Sequence, residues 1–257
     1  MDIISYEVDD RIGRITISRP DRRNALNHSA IEELQRAVRA AVADDVRALV
    51  VIGDEDHFCS GADLTELEDL SFINLVREVL DELDTVPGPT IAAVAGSCIG
   101  LGMQIALTCD LRLSTPEAVF GVPPARLGLM VDHQTVQRLA FHVGHSTARW
   151  MLLTARTITA QRAYSVGMLH QLVEVGEVGP TASVSAVADD LAREIAMLAP
   201  LSTRAAKLGL DLLEQETSVM DPDGSFESAF EAAWRSEDLV EGRRAFVERR
   251  RSRFHGR

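Results

Sequence analysis

The sequence predicts an α/β fold with parallel strand pairing and a helical C-terminal part, and three observations predict it. Two apolar runs, Ala48-Leu49-Val50-Val51-Ile52 and Thr90-Ile91-Ala92-Ala93-Val94, are continuous rather than alternating, as in strands buried on both faces. Strand–helix–strand units recur at intervals of roughly forty residues, which suits parallel crossovers rather than hairpins. From about Val184 onward only helical patterning remains, broken at Pro200 and at Asp221-Pro222-Asp223-Gly224.

The elements follow in order. Ile15 and Ile17 alternate with polar residues after a turn around Asp9–Gly13, which predicts an opening hairpin. A helix over Ser29–Ala43 puts Ile31, Leu34, Val38 and Val42 on one face, and Ser29-Ala30-Ile31-Glu32 has the form of a capping box. The first buried strand ends at Gly53. An acidic loop then leads to Phe58-Cys59-Ser60-Gly61-Ala62-Asp63-Leu64 and to a helix carrying Phe72, Leu75, Val76, Val79, Leu80 and Leu83. Pro87-Gly88-Pro89 stops that helix before the second buried strand. Gly96-Ser97-Cys98-Ile99-Gly100 reads as a turn, a helix starts near Leu101, and Leu111–Ser114 is a short strand. Trp150, Met151 and Leu152 read as helical core, and Tyr164 as part of a short packed helix. Residues 1–194 are expected to form the core. Residues 195–257 form a helical appendage that packs on it or on a neighbouring subunit.

Composition narrows the function. With 257 residues, 46% hydrophobic and 25% charged, the chain has enough apolar surface for a full core. No apolar run is long enough to span a bilayer, and the acidic Met1–Asp10 segment does not read as a signal peptide. Three cysteines (Cys59, Cys98, Cys109) without metal-ligand spacing read as reduced thiols of a cytoplasmic protein with no bound metal. A net charge of −13 argues against nucleic acid as a partner. Yet seven arginines (Arg243, Arg244, Arg249, Arg250, Arg251, Arg253, Arg257) crowd the last fifteen residues, and Arg19, Arg22 and Arg23 cluster near the start. They form either solvated faces or two patches that meet a small polyanion.

Two turns offer small residues where a backbone can approach a ligand: Ser60-Gly61-Ala62-Asp63, and Gly96 through Gly102, whose last residues open a helix. A helix N-terminus carries unpaired N–H groups. Two such groups converging on one point would make an oxyanion hole. Either turn alone could equally be a tight structural one. The glycine spacing does not fit a dinucleotide fingerprint.

Around these turns the chain resembles the crotonase (enoyl-CoA hydratase/isomerase) superfamily along nearly its whole length. The resemblance rests on Arg19-Pro20-Asp21-Arg22-Arg23-Asn24-Ala25-Leu26, Phe58 through Leu64, Ala93-Val94-Ala95-Gly96, Cys109-Asp110-Leu111-Arg112, Phe120-Gly121-Val122-Pro123, Gln137-Arg138-Leu139 and Glu241-Gly242 through Phe246-Val247-Glu248-Arg249. It implies a crotonase-like superhelix of stacked β–β–α turns with a C-terminal helical domain, assembled as a homotrimer or a dimer of trimers. The implied ligand is an acyl-CoA thioester, coenzyme A entering only as part of that ligand, with no tightly bound cofactor. The oxyanion-hole N–H groups fall on Ala62 and Leu101, where a leucine side chain would reshape the acyl slot. The coenzyme A contacts fall on Arg22, Arg23, Leu26, Ala62, Asp63, Leu64, Phe246 and Arg249.

The chain departs from the family at the two hydratase glutamates, whose positions fall on Gln104 and Pro124. Glutamine does not titrate near neutrality and proline has no side-chain donor or acceptor. Asp132 lies where some relatives carry an acidic residue. It is expected to cap the helix carrying Val136, Leu139 and Val143, to act on the thioester with a raised pKa, or both. His57 reads as exposed, Cys98 as inert, and Gln104 as serving either the thioester region or a polar network. The readings that follow are an acyl-CoA carrier with poor hydratase activity, an active hydratase or isomerase, and a thioester enzyme using Asp132.

Overall fold

The two continuous apolar runs are central strands of one sheet. The computed structural model describes residues 2–63, 70–216 and 225–255. Along the chain its strands are β1 (Ile4–Asp9), β2 (Ile12–Ile17), β3 (Ala48–Gly53), β4 (Thr90–Val94) and β5 (Ser97–Ile99). They continue with β6 (Leu111–Ser114), β7 (Val119–Gly121), β8 (Ile158–Thr159) and β9 (Gln171–Leu172). The larger sheet runs β1-β2-β3-β4-β6-β9, antiparallel only between β1 and β2. Both faces of β3 are buried. Leu49 and Val51 join the main core with Ile15, Ile17, Phe58 and Met103. Ala48, Val50 and Ile52 join a second cluster with Ile91, Ala93 and Leu113. A helix, Pro180–Ala196, covers that second face, and its Val184, Ala188 and Ala192 are fully buried. Small side chains at that spacing let it lie close to the sheet. Each buried Val or Leu stabilises the fold by roughly 1.5–3 kcal/mol.

After each parallel strand the chain bends into a second ladder and then into a helix or helical turn. Leu26 follows β2, Cys59–Ala62 follow β3, β5 follows β4, and β7 follows β6. Leu26 pairs with Ala62, Cys59 with Cys98, and β5 with β7, all in parallel. The first three turns continue into α1 (His28–Ala43), α2 (Leu70–Asp84) and α3 (Leu101–Thr108). This repeated β–β–α turn is the stacked architecture the resemblance implies. The remaining helices are α4 (His133–Thr154), α5 (Ala160–Ser165), α6 (Pro180–Ala196), α7 (Pro200–Glu216), α8 (Ser225–Trp234) and α9 (Glu237–Val247). No helix among the described residues is long and apolar enough to cross a membrane.

Four local expectations are corrected. The cap of α1 is Asn27, whose side chain accepts from the Ala30 N–H at 3.0 Å, not Ser29, which lies inside the first turn beside Glu33. Asparagine caps as well as serine, so the sequence allowed both registers. Val42 on the same helix is exposed. Gly96–Gly100 contains a strand rather than only a turn, because Ser97–Ile99 bond to Cys59 on one side and β7 on the other. Three residues carry too little periodicity to show this. Trp150 is half exposed with Arg156 stacked on its ring at 5.2 Å, and Met151 is the member of that trio that is fully buried. Tyr164 does lie on a short packed helix, α5, whose Ala160 and Ala163 are buried while the tyrosine itself is half exposed.

The C-terminal helices are tied to the core by specific contacts. Lys207 on α7 is buried and donates to Asp110 at 2.8 Å, the residue before β6. Asp110 also accepts from the Thr90 N–H and hydroxyl. On α9, a Cβ at Gly242 would stand 2.3 Å from the Leu127 carbonyl oxygen, so the helix seats directly on the 3-10 turn Pro124–Leu127.

Candidate functional site

The two small-residue turns meet. The Leu26 N–H donates to the Gly61 carbonyl at 2.9 Å, and the Asp63 N–H donates to the Leu26 carbonyl at 2.8 Å. In a parallel bridge those bonds turn the intervening Ala62 N–H away from Leu26. On that other side lies Gly100, where a Cβ would stand 3.7 Å from the Gly61 Cα. A Cβ on Gly61 would in turn be 3.2 Å from the Ile99 oxygen and 3.9 Å from the Leu101 nitrogen. Gly61 (φ 117°) and Gly100 (φ 56°) both adopt backbone conformations that favour glycine. Leu101 is the first residue of α3, so its N–H has no intrahelical acceptor. Among the described residues neither the Ala62 nor the Leu101 N–H has a hydrogen-bond partner.

Ala62 and Leu101 both line a cleft of about 150 Å³. Its walls are apolar: Phe72, Ile73 and Val76 from α2, Val122 and Pro123 after β7, then Pro124, Leu127, Leu129 and Val131. Its roof is Phe230 and Trp234 of α8. The Trp234 indole N–H donates to the Met130 carbonyl at 3.0 Å, and the Arg77 guanidinium lies over the Phe230 ring at 4.9 Å. The sequence reading did not find this pair, although residues 230 and 234 share one helix face. Leu101 is buried in the main core while also forming cleft wall.

Gln104 and Pro124 both line the cleft, as does Asp132. Asp132 is the N-cap of α4: its Oδ1 accepts from the Thr135 N–H at 2.7 Å, while Oδ2 lies 3.9 Å from the Arg77 Nε. It therefore caps and faces the cleft at once. Among the described lining residues it is the sole ionisable side chain.

The expected coenzyme A contacts fall in three places. Arg22 and Arg23 are exposed in a turn that clasps Ser60 at the cleft margin. The Ser60 hydroxyl donates to the Arg22 carbonyl at 3.1 Å and its N–H to the Arg23 carbonyl at 3.0 Å. Leu26 is fully buried beneath them, and the Asp63 carboxylate pairs with Arg19 at 2.8 Å. Leu64 lies outside the described residues. Phe246 and Arg249 are exposed on and just after α9 and are not cleft-lining residues. Arg244 and Arg250 are engaged by Glu241, which leaves Arg249 less encumbered than its neighbours.

Polar groups hold the loops in place. Buried Asn24 donates to the Asp54 and His57 carbonyls at 2.7 and 2.6 Å and accepts from the Arg19 N–H. His57 is half-buried rather than exposed, and its Nδ1 accepts from the Ser97 N–H at 3.3 Å, joining the loop after β3 to β5. Burial and the nearby Arg23 lower its pKa. The three thiols are free and buried, and burial pushes Cys59 and Cys109 up to about 12, so none is a nucleophile near neutrality. Beneath α3, Arg112 donates to the Met168, Ala106 and Cys109 carbonyls and faces the His142 ring. Arg138 joins Thr108 at 2.7 Å to Asp84 at 2.6 Å. Burial first, then the charges of Arg112 and Arg138, hold His142 down at about 3.

The family model for enoyl-CoA hydratase/isomerase matches residues 7–257. A "probable enoyl-CoA hydratase" of Mycobacterium tuberculosis is 37% identical over 250 residues, covering 94% of this chain and 95% of that protein. The mitochondrial methylglutaconyl-CoA hydratase of Homo sapiens is 31% identical over 248 residues, covering 93% of this chain and 72% of its own. Among solved structures, methylmalonyl-CoA decarboxylase complexed with 2S-carboxypropyl CoA superposes with a TM-score of 0.89 at 25% identity, covering 100% of this chain and 99% of that one. With a family model spanning nearly all its length and a β–β–α core to match, this chain belongs to the enoyl-CoA hydratase/isomerase family.

Proposed function

We propose that the protein binds an acyl-CoA thioester, its carbonyl oxygen accepting from the Ala62 and Leu101 N–H groups, and that it hydrates enoyl-CoA poorly. One observation carries the second half: among the described residues lining the cleft, Asp132 alone can ionise, and it is already a helix cap beside Arg77. A donor aimed at a developing oxyanion is worth roughly 2.7–4 kcal/mol. A missing acid or base forfeits about 10² to 10⁴ in rate. The cleft therefore keeps its grip and lacks the means to move protons at the usual positions. On this reading Arg22, Arg23 and Leu26 receive the coenzyme A from the N-terminal side. Phe246 and Arg249, outside the cleft, receive it from their own subunit or a neighbouring one. The protein then acts as an acyl-CoA carrier in the cytoplasm. The exposed Leu201, Leu208 and Leu212 on α7 suit a homotrimer or a dimer of trimers. The helical region 195–257 closes the core's cleft and mediates that assembly.

Saturated acyl-CoAs should raise the melting temperature, since ligand bound only by the folded state stabilises it by RT ln(1 + [L]/Kd). Crotonyl-CoA should lose its conjugated-thioester absorbance far more slowly than with a glutamate-bearing hydratase. Rapid hydration would overturn the carrier reading; no shift with any acyl-CoA would overturn the ligand.

A second reading has its own observation. Asp132 lines the cleft, and its Oδ2 makes no hydrogen bond among the described residues. It could serve as the acid or base of another thioester reaction. Asp132→Asn keeps the capping oxygen and removes the proton-transfer group, so lost turnover with retained binding would favour it.

A further inference from the structure

The C-terminal arginines exceed what an acyl-CoA ligand would use. Residues 243–257 carry seven arginines and one glutamate, a net charge of +6 in a chain of net −13, which leaves −19 on the rest. Arg244 and Arg250 are committed to Glu241, at 2.8 and 2.5 Å, and Arg250 also pairs with Glu248. Arg249 receives coenzyme A in the function proposed. The guanidinium groups of Arg243, Arg251 and Arg253 make no ion pair or hydrogen bond among the described residues.

The fold gathers these groups on one surface. α9 buries Leu239, Gly242 and Ala245, so its opposite face carries Val240, Arg243, Arg244 and Val247. The two valines are 67% and 65% exposed. Past the helix the chain turns back along it: Glu241 accepts from the Arg253 N–H at 2.9 Å, and Asp238 from the His255 N–H at 2.6 Å. Arg251 and Arg253 thereby line one open depression with Val240 and Arg244. Glu237, Asp238 and Glu241 line it too, but Glu241 is spent on its arginines and Asp238 bonds the tail. Phe254, between the two tail bonds, is exposed.

Exposed apolar side chains interleaved with uncommitted guanidinium groups suit a helix lying in a membrane interface, where the apolar groups enter the headgroup boundary and the arginines pair with phosphates. A soluble polyanion would engage the arginines and leave Val240 and Val247 in water. The acidic remainder of the chain does not oppose this. Charges beyond about 8 Å are largely screened at physiological ionic strength, so the local patch governs attraction. The −19 elsewhere then decides which end of the molecule meets a negative surface. We propose that the outer face of α9 and the tail folded beside it dock on an anionic phospholipid surface, Arg243, Arg251 and Arg253 pairing with headgroup phosphates and Val240 and Val247 inserting between them.

Flotation of the full chain with vesicles of equimolar phosphatidylcholine and phosphatidylglycerol, against phosphatidylcholine alone, tests this. The protein should partition onto the anionic vesicles and not the neutral ones, and less so as salt rises. Each arginine contributes about fivefold in partition, so Arg243→Gln, Arg251→Gln and Arg253→Gln combined should lower it about a hundredfold. That triple variant should keep the wild-type melting temperature, because the three guanidinium groups pair with nothing in the fold. Val240→Ser with Val247→Ser should weaken vesicle binding and leave its salt dependence unchanged. Equal partition onto both vesicle types, partition onto neither, or wild-type binding by the triple variant would overturn the proposal. So would full vesicle binding by the valine variant, or binding to soluble polyglutamate that anionic vesicles do not compete away; either would mark an acidic protein as the partner.

Discussion

The floor and the roof of the cleft are built on opposite principles. The floor is backbone. In the turns that carry it, a Cβ on Gly96 would stand 2.0 Å from the Asp56 oxygen, and one on Gly102 would stand 2.3 Å from the Cys59 oxygen. The roof is side chain: Phe230 and Trp234 of α8 line the cleft together with Leu129 and Val131. Hydrophobic side chains of similar volume can replace one another at modest cost, whereas a peptide plane cannot yield to a new methyl group. A floor of this kind fixes where two N–H groups stand, and a roof of that kind is free to set which acyl chain fits above them.

The comparison breaks first at the floor. Gly102→Ala should cost about 3 kcal/mol, the upper end for overpacking, because the obstacle is backbone. For a chain of this size that corresponds to a fall of about 6–12 °C in melting temperature. A melting temperature unchanged from wild type would mean that the two turns slide apart freely and that the floor is not rigid.

At the roof, Trp234→Ala should cost about 2 kcal/mol, less than for a fully buried aromatic because Trp234 is partly accessible. Its signature should lie in ligand choice: thermal shifts from long acyl-CoAs shrink while those from acetyl-CoA persist. Equal losses for both would show the roof to be scaffold only.

Asp132 lies where the two regimes join. Asp132→Ala should cost about 1 kcal/mol through the lost cap, and Asp132→Asn nearly nothing, as read by chemical denaturation. If the two variants lose the same stability, the bond to Thr135 is not what Asp132 contributes.

The smallest effect near neutrality comes from beneath the floor. His142 in the folded protein holds off its proton to about 3, whereas an imidazole in an unfolded chain takes one up near 6.5. As pH falls below about 6.5 the unfolded state binds the extra proton, so stability drops progressively toward pH of about 3. His142→Gln should flatten that slope in urea titrations at a series of acidic pH values. Parallel slopes for both proteins would remove His142 as its cause.

The floor was legible in the sequence and the roof was not, for physical reasons. Gly61, Gly96, Gly100 and Gly102 are local signals, since a glycine-rich turn after a buried strand announces itself within a few residues. Gln104 and Pro124 carry no such local signal and were singled out only through the family resemblance; both line the cleft. Phe230 and Trp234 read as ordinary helical apolar residues. What makes them a roof is the reach of α8 across to Met130 and Arg77, a tertiary fact with no local trace. The cap at Asn27 was missed because two good capping residues lie two positions apart. The arginines divided in a way that composition could not show, Arg112 and Arg138 serving buried networks and Arg249 the surface.

The pairing of Lys207 with Asp110 has a chemical consequence as well as a mechanical one. Lys207 is the single lysine of the chain, beside 25 arginines. It is buried with its ammonium held by a carboxylate, and all three thiols are buried too. Amines and thiolates are the groups that capture an acyl unit from a thioester, and guanidinium does not. The described surface thus exposes no lysine amine and no thiol. Such a surface is a poor target for the acyl group of a thioester bound beside it.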